Sequence, residues 1–80
     1  MSKKFIQKNI RLSLELDSYL SRHPSLIARI PNGAHVIITV KGDSIFNKSS
    51  MSLVGRDRVH KVIEARKDGA RWTLQQLAAV

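Results

Sequence analysis

The sequence predicts a small α/β protein of one domain, covering residues 1–80, in which two helices alternate with two strands. The evidence is an amphipathic stretch at residues 4–22, five consecutive β-branched residues at 36–40, and a second helical pattern after them. A chain of this length can build one hydrophobic core and no second one. Its hydrophobic content of 42% is typical of a globular protein.

The first helix is predicted over residues 4–22. Its apolar residues recur at helical spacing and define one face: Phe5, Leu12, Leu16, Tyr19 and Leu20. His23-Pro24 should end this helix, because the residue before a proline disfavours the α conformation. Pro24 then suits the first position of a short helical turn at residues 25–29.

The first strand is predicted at residues 36–40, between the turn signals Asn32-Gly33 and Gly42-Asp43. An uninterrupted run of Val, Ile and Thr is typical of a strand that is covered on both faces.

A second helix is predicted over residues 44–68, with Asp43 as its N-cap and Gly69 as its left-handed C-terminal cap. Gly55 and the serine-rich stretch at 49–52 weaken this helix, so a break between residues 48 and 55 is the alternative. A second strand is predicted at residues 71–77. Gln75 and Gln76 make it the more polar strand and therefore the exposed edge.

A strand, a helix and a strand in succession form a βαβ unit, which predicts parallel strands and a right-handed crossover in a two-layer domain. A sheet of only two strands leaves both edges open. We therefore expect a homodimer or a bound partner to complete the sheet, with Trp72, Leu74 and Leu77 at the interface.

The chain resembles a family of short, uncharacterised proteins, of roughly 70–80 residues, that have a helix–strand–helix–strand order. The resemblance is carried by Asn9, Leu12, Glu15, Tyr19-Leu20, His23-Pro24, Ile30-Pro31, Ala34, Asp43, Phe46-Asn47 and Gly69. It implies the same α/β arrangement and transfers no catalytic residue.

The residue inventory argues against catalysis. The absence of cysteine excludes a thiolate nucleophile and Cys-based metal sites. His23, His35 and His60 do not have the spacing of a helical metal pair, and no phosphate-binding loop or nucleophile elbow is present. We expect no enzyme, no cofactor, no metal and no small-molecule substrate, although a small hydrolase or isomerase is the remaining third hypothesis.

The net charge of +8 favours an anionic partner, unless the cations serve only solubility. The leading hypothesis is a non-enzymatic binding module, acting as a homodimer or bound to an acidic protein. The alternative is a nucleic-acid-binding accessory protein. Phosphates would then contact the basic second helix, which Lys3, Lys4, Lys8 and Arg11 extend if the two helices lie side by side. The candidate residues for either anionic partner are Arg56, His60, Lys61, Lys67 and Arg71.

The apolar runs are too short to cross a bilayer, and the basic N-terminal segment lacks the continuous apolar stretch of a signal peptide. We therefore expect a cytoplasmic protein that does not bind membranes.

Overall fold

The computed structural model describes residues 2–54 and 61–77. They form α1 (Lys3–Arg22), α2 (Pro24–Ile27), β1 (His35–Val40), α3 (Ser44–Met51), β2 (Val62–Asp68) and β3 (Arg71–Gln76). The three strands make one sheet in the order β1-β2-β3. The small α/β class predicted from the sequence is therefore confirmed.

The first helix ends where its sequence signals predict and begins at Lys3, one residue before the predicted start. The Ser2 hydroxyl caps its N-terminus by accepting a hydrogen bond of 3.1 Å from the Phe5 N–H. Phe5, Leu12 and Leu16 are buried on its inner face, as the spacing predicts. α1 ends before His23, and Pro24 starts α2.

The prediction of a helix over residues 44–68 is wrong at residues 62–68. The helix starts at the predicted cap, where the Asp43 side chain accepts a hydrogen bond of 3.1 Å from the Phe46 N–H. It ends at Met51, inside the stretch where a break was the alternative, while Gly55 lies outside the described residues. Residues 62–68 form β2 instead.

The central position of β2 explains why it is a strand. Val62 and Ile63 are both buried, and β2 is hydrogen-bonded to a neighbouring strand on each side. This tertiary pairing overrides a weak helical spacing. Gly69 has a φ of 63° and lies in the two-residue turn between β2 and β3, so it is a hairpin residue and not a helix cap.

The pairing of the strands also differs from the prediction. β1 is parallel to β2, whereas β3 is antiparallel to β2 and does not touch β1. The expected parallel pair of β1 and the last strand is therefore wrong, although the last strand is at an edge as predicted. The right-handed crossover was predicted for that pair; β1 and β2 now form the parallel pair, and for their connection a right-handed sense is what the general rule predicts.

The third strand removes our reason for expecting a second chain to complete the sheet. We expected a two-stranded sheet that needs a second chain, but the hairpin of β2 and β3 supplies a third strand from the same chain. β1 becomes the second edge, opposite β3, and its residues 37–39 are buried on both faces, as the β-branched run predicts.

One face of the sheet packs against α1. The strand register places apolar residues from all three strands on this face, where Ile38, Ala65 and Leu74 form one row across the sheet. Phe5, Leu12 and Leu16 of α1 and Phe46 of α3 complete the core cluster.

The outer edge of β1 is capped at Val40 by a side chain of α3. The Lys41 N–H bonds to Lys67 in β2, so the alternating backbone groups of Val40 point away from the sheet. The Asn47 side chain accepts from the Val40 N–H and donates to the Val40 carbonyl, each at 2.7 Å. This amide takes the place that a neighbouring strand would occupy.

Candidate interaction surface on the first helix

The three predicted basic residues that the structure describes, Lys61, Lys67 and Arg71, do not form one patch. Lys67 lies on the α1-facing side of β2 and forms an ion pair with Glu15. Lys61 and Arg71 are exposed, but they stand at opposite ends of the β2–β3 hairpin. Arg56 and His60 lie outside the described residues. The predicted basic helix edge is therefore wrong at Lys67, because that residue belongs to a strand.

Two of the three predicted interface residues also lie in the core and not at the surface. Trp72 is 3% exposed and Leu74 9% exposed, and both belong to the core of a single chain. Their alternation along β3 directs them towards α1, so they offer almost no surface to a second chain in this fold. Leu77, just after β3, is half-buried.

Two ion pairs fix α1 to the rest of the fold. The Lys8 ammonium pairs with the Asp43 carboxylate and lies 5.2 Å from the centroid of the Phe46 ring. The Lys8 hydrogen bond, followed by the Phe46 backbone N–H, lowers the pKa of Asp43 below its ordinary value. The pair of Lys67 and Glu15 ties α1 to β2.

A row of cations runs along the exposed side of α1. Lys4, Arg11 and Arg22 are seven and eleven residues apart, spacings that return to the same side of an α-helix. All three are exposed, and none forms an ion pair within the described part of the chain. We call these residues the cation row.

An apolar ridge lies beside the cation row. Ile6, Ile10 and Leu14 are 46%, 56% and 66% exposed, and they follow one another at intervals of four residues. They lie on the side of α1 opposite Leu12, so the core does not use them. Lys3 and Asp17 stand at the two ends of this ridge.

An open groove of about 470 Å³ lies next to the C-terminal half of α1. Apolar side chains of Leu20, Ile27 and Ile30 line it together with the polar residues Asp17 and Ser21 and the loop at 31–34. The groove offers one carboxylate and hydroxyl or amide groups, a set suited to binding a cationic or polar side chain. No group of three or more potential metal ligands occurs among residues 2–54 and 61–77.

The outer side of the β2–β3 hairpin is polar. Arg66, Thr73 and Gln75 are exposed there. Nearer β1, the Thr39 hydroxyl donates a hydrogen bond of 2.7 Å to the Glu64 carboxylate. At the turn end of the hairpin, Lys41 pairs with Asp68 at 3.5 Å.

The sequence contained the signals for both α1 features, but our interpretation did not use them. The cations of the first helix were treated as an extension of the second, although positions 4, 11 and 22 already share one helical side. Positions 6, 10 and 14 are absent from the predicted apolar face, although their spacing of four defines a separate ridge.

Within the described part of the chain, no helix has the length and apolar character needed to span a membrane. A comparison with family models matches residues 4–63 to a family of unknown function, which confirms the resemblance to uncharacterised proteins. The matched range contains all three helices, β1 and the start of β2. Searches of curated proteins and of solved structures find no match.

Proposed function

Because the chain belongs to DUF5647, a family of unknown function, we propose its function from its geometry: a non-enzymatic binding module that engages an acidic protein partner. The supporting observation is the imbalance of charge at the surface. Of the twelve Lys and Arg residues in the described part, only Lys8, Lys41 and Lys67 form ion pairs. The other nine are exposed and have no acidic partner there.

Most of the acidic side chains in the described residues have partners within the fold. Glu15, Asp43 and Asp68 are ion-paired, and Glu64 accepts a hydrogen bond from Thr39. The remaining exposed cations therefore attract external anions, an effect that salt screens. The cation row holds three of these cations at a fixed spacing, because they lie on one side of one helix.

The aromatic residues favour an acidic protein over nucleic acid. Phe5, Phe46 and Trp72 are buried, and the half-buried ring of Tyr19 packs at a tilt against His23 with 4.2 Å between centroids. These four are all of the Phe, Trp and Tyr side chains in the chain. Single-stranded nucleic acids are held largely by bases stacking on exposed aromatic rings, which this surface does not provide.

Fluorescence anisotropy with a labelled poly-glutamate peptide tests the proposal, with RNA and DNA oligonucleotides of equal charge as competitors. We expect binding at low ionic strength that weakens steeply as salt is added. The charge-reversed triple variant Lys4→Glu, Arg11→Glu, Arg22→Glu should bind roughly tenfold or more weakly.

The matched control reverses three exposed cations that do not share one helix side: Arg29→Glu, Lys48→Glu and Lys61→Glu. Both triple variants change the net charge by the same amount. An equal loss in both would refute the cation row as a site, and tighter binding of the oligonucleotides would establish the nucleic-acid alternative in its place. Circular dichroism should show that both variants stay folded.

A further inference from the structure

The apolar ridge of α1 is arranged as a packing surface. Isolated exposed Ile or Leu side chains are common on proteins and need no explanation. Here Ile6, Ile10 and Leu14 are aligned four residues apart, and each is 46% exposed or more. A row of side chains at this spacing forms one of the ridges through which helices pack against each other.

The charges at the ends of the ridge make it self-complementary. Lys3 precedes Ile10 by seven residues and Asp17 follows it by seven, so both lie about 10 Å along the helix from Ile10, on its side of α1. Both side chains are exposed, and neither forms an ion pair within the described residues. The order of side chains along the ridge is therefore a cation, three apolar residues and an anion.

We propose that this ridge docks a second copy of the chain, with the two α1 helices antiparallel across a two-fold axis at Ile10. In this arrangement Ile10 meets Ile10, Ile6 meets Leu14, and Lys3 of each protomer meets Asp17 of the other. A two-fold contact requires the same patch on both subunits to be complementary to itself, and the order of charges along this ridge meets that requirement.

The observations favour a second copy over a lipid surface. Lys3 and the cation row border this ridge, as Lys and Arg border the apolar face of a helix that lies on an anionic membrane. Asp17 would face the lipid charge on such a surface, whereas in the two-fold contact it meets Lys3. Asp17 also lines the open groove beside α1, whose apolar and hydroxyl groups can receive the stem of the incoming Lys3.

The dimer does not depend on the proposed function. The cation row lies on a neighbouring strip of α1 and stays exposed when the ridge is covered. A contact of one helix per protomer is at the small end of interface sizes, so we expect a dimer that forms at micromolar or higher concentration. It should persist in about 1 M NaCl because screening also reduces repulsion between two chains of net charge +8. Poly-glutamate binding should be lost under the same conditions.

Sedimentation equilibrium of the full chain from about 5 µM to about 1 mM tests the dimer. Ile10→Glu should weaken it by roughly 30-fold or more, because two carboxylates would be forced together at the axis. The control Ile45→Glu introduces the same charge at a residue of α3 that is 83% exposed, and it should leave the dimer unchanged. Both variants should keep the helical circular dichroism spectrum of the parent.

Charge exchange tests the antiparallel register. Lys3→Glu and Asp17→Lys should each weaken the dimer by roughly three- to tenfold, and the double variant should restore it to within about twofold. Lys4→Glu, which makes the same charge change one position along, should have a smaller effect than Lys3→Glu.

Cross-linking tests the axis itself. The chain has no cysteine, so Ile10→Cys places a single thiol at the two-fold axis and should give an oxidised dimer in high yield. A chain that stays monomeric to about 1 mM, or a dimer that Ile10→Glu leaves unchanged, would overturn the proposal. It would also be overturned if the protein is monomeric but sediments with phosphatidylserine vesicles in an Ile10-dependent manner.

Discussion

Replacing Trp72 by alanine should remove a large part of the free energy of unfolding. The Trp72 side chain is 3% exposed and lies in the cluster that joins β3 to α1. Truncation of a buried Trp to Ala costs about 3–5 kcal/mol. A domain of this length is expected to have a total stability of about 4–12 kcal/mol. Trp72→Ala should therefore leave the protein marginally folded or unfolded at room temperature.

Urea unfolding followed by circular dichroism measures this loss. Because Trp72 packs within one chain, the difference between variant and parent should be the same at low and high protein concentration. A residue at a subunit interface would instead show a difference that grows with concentration. Trp72→Phe should retain most of the packing, and Gln75→Thr, on the exposed side of β3, should change the stability by less than about 0.5 kcal/mol. A loss below about 1 kcal/mol for Trp72→Ala would refute the core placement.

Three further predictions concern the backbone and one carboxylate. Asn47→Ala should cost about 2–3 kcal/mol in thermal or urea unfolding, because it leaves the Val40 N–H and carbonyl without their partner; a loss below about 0.5 kcal/mol would contradict the edge cap. Gly69→Val should cost about 1–2 kcal/mol through its φ of 63° alone, since an added Cβ would meet no atom within 4 Å, and Gly69→Asn should lose less. The lowered pKa of Asp43 means that its ion pair with Lys8 stabilises the fold above the ordinary carboxyl pKa, near 3.9, and that this contribution is lost as the pH falls through the lower folded pKa. Asp43→Asn should flatten the pH dependence of stability in that acidic window, and an unchanged profile would exclude Asp43 as its source.

The sequence was sufficient wherever a local signal and the tertiary fold agree. His23-Pro24 and Asp43 set helix boundaries through proline geometry and a cap, and these involve only neighbouring residues. The β-branched run at 36–40 predicted its burial on both faces because no other element tolerates that composition as well.

The sequence failed where two local readings compete. Residues 62–68 fit a helical face as well as a strand, and Asp68-Gly69 fits a hairpin turn as well as a helix end. Only the pairing of β2 with both neighbouring strands decides between them, and that pairing is not local information. The error moved Lys67 onto a supposed helix edge and Trp72 onto a supposed interface.

The Asn47 amide makes the two edges of the sheet unequal. At the Val40 end of β1, the Asn47 amide already bonds the outward N–H and carbonyl groups, so an added strand cannot pair there. The opposite flank, along β3, keeps the outward backbone groups of Trp72 and Leu74 unmatched within the described sheet. Any templated growth of the sheet at the Val40 end of β1, including misassembly during heating, should therefore require α3 to melt and withdraw its amide, whereas growth along β3 should not.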